Sequence, residues 1–370
     1  MRVGVPKEIK VHEYRVGLTP ASVREVVAGG HRVTVEHDAG AGIGASDDDY
    51  RRAGAQIADT AEQVFASAEL IVKVKEPQPQ ERAWLRPDHV LFTYLHLAPD
   101  PDQARDLIAS GVTAIAYETV TDPGGGLPLL APMSEVAGRM SVQAGAHCLE
   151  KAAGGRGVLL GGVPGVEPAR VVILGGGVVG ANAALVALGM GAEVRVIDRS
   201  VPALRRLDER FGPRLATLHA SAEAIENAVV DADLVIGAVL VAGTTSPKLV
   251  GRDLVRRMRP GAVIVDVAID QGGCIETSRP TTHADPTFVV DGVVHYCVAN
   301  MPGAVARTST FALNAATLPH VLAIAGKGWR AALAQDPHLL QGLNVCAGHL
   351  THKGVAAALG LGFRPAGEML

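Results

Sequence analysis

The stretch VVILGGGVVG, residues 171–180, decides the fold class of the second half of this 370-residue chain. Four apolar residues, Val171 to Leu174, run straight into Gly175-x-Gly177-x-x-Gly180, and a helical pattern, ANAALVALGMGA, follows. Strand, tight turn and helix N-terminus in that order suit a dinucleotide. Gly175 allows the turn, Gly177 lets the backbone approach a pyrophosphate, and Gly180 permits close helix–strand packing, while the helix offers N–H groups to phosphate. A bare glycine fingerprint is weak evidence. Here a second apolar run, EVRVID, ends on Asp198, near the distance (about 20 residues) at which an acidic side chain accepts both adenosine ribose hydroxyls and repels a 2′-phosphate.

Working outward, the same alternation of strand and helix fills the chain. ADLVIGAV and AVIVDVAI continue the second unit; RVGVP, HRVTVEH, LIVKVKEP, HVLFTYLH and VTAIAYE build a first one. Alternation of this kind implies parallel sheets covered by helices. Between RVGVP and HRVTVEH, Thr19 can cap a helix, Pro20 fits its first turn and Gly29-Gly30 ends it. Further helices are expected around 47–54 and 101–110. The Gly/Pro-rich TDPGGGLPLLAP (121–132) breaks the rhythm, and Met133 to Ala153 reads as one long helix bridging two domains. A second join, NMPGAVARTST (300–310), precedes a helical tail with no strand character, which folds back on the first unit. The expected fold class is α/β, with two Rossmann-like doubly wound parallel-sheet domains linked by long helices.

Composition sets limits on function. A formal charge of −4, a pI near 6.4 and the absence of a basic block argue against nucleic acid or an anionic membrane as partner. The four cysteines, Cys148, Cys274, Cys297 and Cys346, are far apart and form no CxxC pair, so they read as reduced thiols and not as a disulfide framework or a metal site. MRVGVPKEIK enters a strand almost at once, leaving no room for a signal peptide. No apolar run approaches the roughly 18 residues of a membrane span. These features point to the cytoplasm.

The first unit carries the polar residues that could name a substrate. In LIVKVKEPQP, residues 70–79, Lys73 and Lys75 are two apart and share a face of the strand. Lys75, last before Pro77 stops the strand, is placed to meet an anion, with Lys73 as support or surface. His96 in LFTYLHLAP lies at another strand end, and Arg15 in KVHEYRVGLTP follows the first strand. Each alone has an ordinary alternative as a solvated charge or a structural histidine. Their shared place beyond strand ends, where ligands of open α/β sheets sit, makes a cationic cluster.

Long motifs extend this reading. RVGVPKEIKVHEYRVGLTP, VKVKEP, LFTYLHLAP, AYETV, APMSEVAGRMSVQAGAHCLEK, GRGVLLGGVPGVEPARVVILGGGVVG, VIVDVAIDQGGCIETSRPTTH and YCVANMPGAVARTSTFALNAATLP together resemble the L-alanine dehydrogenases over nearly the whole chain. The same superfamily includes the NAD-binding subunit of proton-translocating transhydrogenase, the alternative reading; DVAIDQGGC and CVANMPG are closer to the alanine enzymes. The resemblance implies an NAD-dependent amino-acid dehydrogenase acting on CH–NH2, reversible deamination of L-alanine to pyruvate and ammonium, and a homohexamer. It also implies a discontinuous catalytic domain, 1–130 plus 305–370, around an NAD-binding Rossmann domain, 131–304.

Carried over by motif, Arg15 and Lys75 would hold the substrate and His96 would be the general acid/base. Asp270 would act at the substrate beside the nicotinamide. Ser134, Gly175, Gly177, Val178, Val179, Gly180 and Asp198 would touch the cofactor, with Val239 and Leu240 on its adenosine side. Val267, Ala268, Ile269 and Asp270, and Val298, Ala299, Asn300 and Met301, would approach the nicotinamide; no metal is implied. Ala220 stands where the family often has serine, so that contact is not carried over. Two ordinary roles compete: Ser134 as the cap of the long helix, and Asp270 as a loop-ordering carboxylate.

Overall fold

Each apolar run quoted above forms a strand, because β-branched side chains pack well on a pleated surface buried on both faces. In the computed structural model, which describes residues 1–239 and 246–370, the chain divides into two units. One is Met1–Met133 with Gly303–Leu370, and the other is Ser134–Pro302.

The first unit starts with six strands: β1 (Arg2–Val5), β2 (Arg32–Glu36), β3 (Gln56–Ala58), β4 (Leu70–Val72), β5 (Val90–Thr93) and β6 (Thr113–Ala116). They lie in the order β3-β2-β1-β4-β5-β6, all parallel. Strand order reverses between β1 and β4, so the loops that follow them flank a topological switch point, where open α/β sheets bind ligands. Thr19 caps the helix Pro20–Ala28 by accepting the Ser22 N–H, with Pro20 in the first turn, as its sequence implies.

The second unit repeats the order. Strands β7 (Arg170–Leu174), β8 (Glu193–Asp198), β9 (Leu215–His219), β10 (Leu234–Gly237), β11 (Val263–Asp266), β12 (Thr287–Val290) and β13 (Val293–Tyr296) form a sheet β12-β13-β11-β10-β7-β8-β9. Only the edge strand β12 is antiparallel. Its switch point lies between β7 and β10, beside the glycine-rich turn.

Several elements differ from expectation: β3, β9, β12 and β13 were not read as strands in the sequence, and the bridging helix and the tail depart as well. The helix read over Met133–Ala153 runs from Ala131 to Cys148, and a 3-10 turn, Lys151–Ala153, follows. Glu150 is extended ahead of that turn and Gly154 closes it in the left-handed region, so the helix cannot continue. The tail is also not purely helical. After the helix Ala306–Lys327 come β14 (Leu343–Cys346) and β15 (His349–Leu350), which add to the first sheet beyond β6 as antiparallel strands. Ala306–Lys327 packs into the same unit: Asn314 accepts the Thr19 N–H at 2.8 Å and donates to the Gly17 carbonyl at 3.0 Å.

Candidate functional site

In the first unit, the loops after β1, β4 and β5 place Arg15, Lys75 and His96 at the carboxyl ends of neighbouring strands. Arg15 is only 2% exposed. Its Nε and Nη2 donate to the two Glu13 carboxylate oxygens at 2.7 and 2.5 Å, and Nη1 reaches Met133 Sδ at 3.1 Å. Burial works against the guanidinium charge, but the Glu13 carboxylate outweighs it and raises the Arg15 pKa. The bidentate pair fixes a planar donor rigidly.

β4 stops at Val72, so the two lysines are not strand neighbours on one face. Lys73 is fully buried between carboxylates, Glu8 at 3.2 Å and Glu81 at 2.7 Å, and is support and not surface. Lys75 is half-buried, and its carbonyl accepts the Thr93 hydroxyl at 2.9 Å.

His96 is exposed and holds φ of 49°, a left-handed conformation that a residue with a Cβ adopts at a cost of about 1–3 kcal/mol. Glu118 holds it there by accepting the N–H groups of Leu95 and His96, the latter at 2.6 Å. The Glu118 carboxylate also lies 4.0 Å from His96 Nδ1, and the Tyr94 ring stacks on the imidazole at 5.7 Å.

In the second unit the glycine fingerprint is built as its spacing implies. Gly175 has φ of 107°, and a Cβ there would meet the Ala238 carbonyl at 2.6 Å. A Cβ on Gly180 would lie 1.8 Å from the Gly175 carbonyl, so only glycine lets the helix approach the strand. Gly177 caps the helix Val178–Gly189 without a side-chain acceptor, and a Cβ on it would enter open space. These residues fit a dinucleotide: the N–H groups of the first helical turn face room for a pyrophosphate. Asp198 Oδ2 accepts the Gly176 N–H at 2.6 Å and Oδ1 the Ser200 N–H at 2.7 Å, which aims the carboxylate from the end of β8.

Asp270 is exposed in the 3-10 turn Val267–Gln271, and its Oδ1 accepts the Asn300 N–H at 3.3 Å. The segments 267–270 and 298–301 are therefore brought together. Ala268, Ile269, Val298 and Met301 are buried, while Val267, Ala299 and Asn300 are half-buried. Ser134 lies a turn inside the helix Ala131–Cys148 and does not cap it. Val239 is half-buried after β10, whereas Leu240 lies outside the described residues.

Sequence reasoning passed over the acidic partners Glu8, Glu13, Glu81 and Glu118. It also missed Asp266, fully buried at the end of β11, which orders the glycine loop. Asp266 accepts the N–H groups of Cys274 at 3.0 Å and Ile275 at 3.2 Å. Lys248 clamps that loop by donating to the carbonyls of Gly272, Gly273 and Ile275. One signal was available: VIVD ends an apolar run on a carboxylate. Among the described residues, the one trio able to ligate a metal is His37, Asp38 and Asp47 after β2, and its side chains are bonded to one another.

Similarity to known proteins agrees with this geometry. Residues 4–137 match the family described as alanine dehydrogenase/PNT, N-terminal domain, and residues 141–353 match its C-terminal domain. An alanine dehydrogenase of Halomonas elongata is 60% identical over 370 residues, covering all of both chains. A solved L-alanine dehydrogenase superposes with a TM-score of 0.94 at 54% identity, over 97% of this chain and 99% of its own. A transhydrogenase from Sinorhizobium meliloti, at 24% identity and a TM-score of 0.82 over 95% of this chain and 99% of its own, shares the fold. With both domain families matched in order and a full-length relative this similar, the chain belongs to the alanine dehydrogenase/PNT family.

Proposed function

We propose that this chain catalyses the reversible reaction of L-alanine, NAD and water to pyruvate, ammonium, NADH and a proton. The observation that carries this reading is the 60% identity, without a gap in coverage, to an alanine dehydrogenase. Arg15, Lys75, His96 and Asp270, present in the motifs quoted above, support it. NAD, when bound, takes the hydride from the substrate Cα.

The chain's own residues do the rest. Alanine offers little to grip besides its carboxylate, so charge-assisted hydrogen bonds from Arg15 and Lys75 supply most of the recognition. Loss of hydride leaves an iminium; water adds to its carbon, and ammonium departs. His96 moves the protons of those steps, since imidazole exchanges protons near neutral pH. Asp270 stabilises the positive charge that develops at the iminium, which favours the transition state over the substrate. Gly175, Gly177, Val178, Val179 and Gly180 hold the pyrophosphate, and Asp198 selects NAD over NADP by like-charge repulsion of a 2′-phosphate. In this reading 1–130 with 305–370 handle the substrate and 131–304 handle NAD.

The direct test mixes protein, L-alanine and NAD and follows NADH absorbance. Steady NADH formation is expected, and its absence would leave the transhydrogenase-type role. The reading also includes a homohexamer in the cytoplasm, supported by the family resemblance. Light scattering should give six times the 38.3 kDa chain mass.

A further inference from the structure

Glu8, in the loop after β1, joins two things that the sequence keeps apart. Its Oε2 accepts the buried Lys73 ammonium at 3.2 Å. Its Oε1 accepts the backbone N–H of Val74 at 2.7 Å and of Lys75 at 3.2 Å. β4 has already ended at Val72, so one carboxylate serves these two N–H groups in place of a neighbouring strand. Lys73 is held in turn by Glu81 at 2.7 Å, and Glu81 is fixed by the Gln78 N–H at 2.7 Å. The Tyr117 hydroxyl donates to the Lys73 carbonyl at 3.0 Å.

This is an expensive way to finish a strand. Two carboxylates and one ammonium are removed from water, and well-packed apolar residues in such places are often as stable or more so. What the ionic cluster adds is a fixed main chain at residue 75. We propose that Glu8 is a positioning residue for the alanine reaction: its ionised carboxylate, anchored by Lys73, sets the backbone from which Lys75 reaches the carboxylate of a small 2-amino or 2-oxo acid. The proposal rests on the reading of Lys75 as a substrate-binding residue.

The surroundings of Glu8 give the proposal a second readout. Facing it are Lys73 and Lys75 from the end of β4, Glu81 from the helix Pro79–Arg82, Glu13 and Arg15 from its own loop, and Tyr117 after β6. Burial pushes the Glu8 carboxyl up to about 7; Lys73 pulls it down, while Glu81 and Glu13 push it further up. As pH falls through that value, Glu8 gains a proton and its hold on Lys73 and on the main chain weakens.

The experiment measures pyruvate binding to the full-length protein with NADH present and ammonium absent, between pH 6 and 9. Pyruvate keeps its charge throughout, so a pH dependence belongs to the protein. In the unaltered protein, affinity should fall as pH drops through about 7. Glu8→Ala should weaken pyruvate binding by up to about 100-fold, the scale of a group displaced by about 1 Å, with NADH affinity unchanged. Glu8→Gln, which keeps an acceptor for the two N–H groups, should recover part of the affinity and lose the share of the pH dependence that Glu8 supplies; any share from His96 is common to both proteins. Glu81→Gln should move that midpoint to lower pH. NADH affinity reports that the second unit of each variant is folded, and near-ultraviolet circular dichroism reports the same of the first, where Tyr50, Tyr94 and Tyr117 are buried. Unchanged pyruvate affinity in Glu8→Ala, or an unaltered pH curve in Glu8→Gln, would overturn the proposal. Lys75→Ala separates the two ideas: if it binds pyruvate as tightly as the unaltered protein, the substrate role of Lys75 itself fails.

Discussion

In the proposed function, Asp266 and Asp270, close together in the chain, divide two duties between them. A carboxylate at a strand end next to two glycines can order the loop or face a ligand. Asp266, fully buried, takes the Cys274 and Ile275 N–H groups and so does the ordering. Asp270 is exposed and accepts the Asn300 N–H at 3.3 Å, and in the proposed function it faces the substrate. Asp270→Asn is therefore expected to fold with near-native stability and to bind NADH normally. It should lose alanine turnover by roughly 100-fold or more, the scale of one removed electrostatic stabiliser. Asp266→Asn should instead lower the unfolding free energy, because an amide cannot replace a buried carboxylate that accepts several N–H donors. Steady-state kinetics and urea unfolding of the pair distinguish the roles; near-native turnover in Asp270→Asn would return that residue to a structural one.

At the level of elements, the loop after β5 that carries His96 is held by a carboxylate from another strand end. Glu118 satisfies the N–H groups of Leu95 and His96 while His96 sits in the left-handed region. Glu118→Ala should let the loop relax, with a loss of roughly 100-fold in kcat and unchanged NADH affinity. Glu118→Gln, which keeps an acceptor, should restore most of it. Lys75 and His96 were legible because each stands at the end of an apolar run, Arg15 because it follows the first strand, and the glycine fingerprint because its spacing is rigid. The carboxylates were not. Glu8 meets Lys73 across 65 residues of chain, and a glutamate in a polar loop reads as solvated until the fold shows its partner. β14 and β15 escaped for a different reason. Leu343–Cys346 is a four-residue run containing Asn344, and it becomes a strand only by pairing with β6, where Leu343 meets Ile115 and Val345 meets Ala114.

For the whole molecule, the buried ionic cluster sets how stability follows pH. The Glu8 carboxyl is raised from 4.5 to about 7, so the folded chain holds that proton more tightly than the unfolded one. Its contribution is fully present below pH 4.5 and is lost as pH rises to about 7. Glu8→Gln should remove this term, changing the slope of unfolding free energy against pH in that window by up to about 1.4 kcal/mol per unit. Lys73 is raised despite its burial, because Glu8 and Glu81 outweigh desolvation, so its contribution is kept until alkaline pH. Urea unfolding across pH 4 to 8 checks the slope; identical slopes in the two proteins would mean that Glu8 does not titrate there. The division of the chain has a further consequence for biosynthesis. Ser134–Pro302 is contiguous and can close as soon as it leaves the ribosome, whereas the first unit needs Gly303–Leu370. Until the last strands arrive, β6 waits with an unpaired edge, and the loop of Gly17 and Thr19 waits for Asn314. The nascent N-terminal third is thus the part of this protein that a chaperone would have most time to meet.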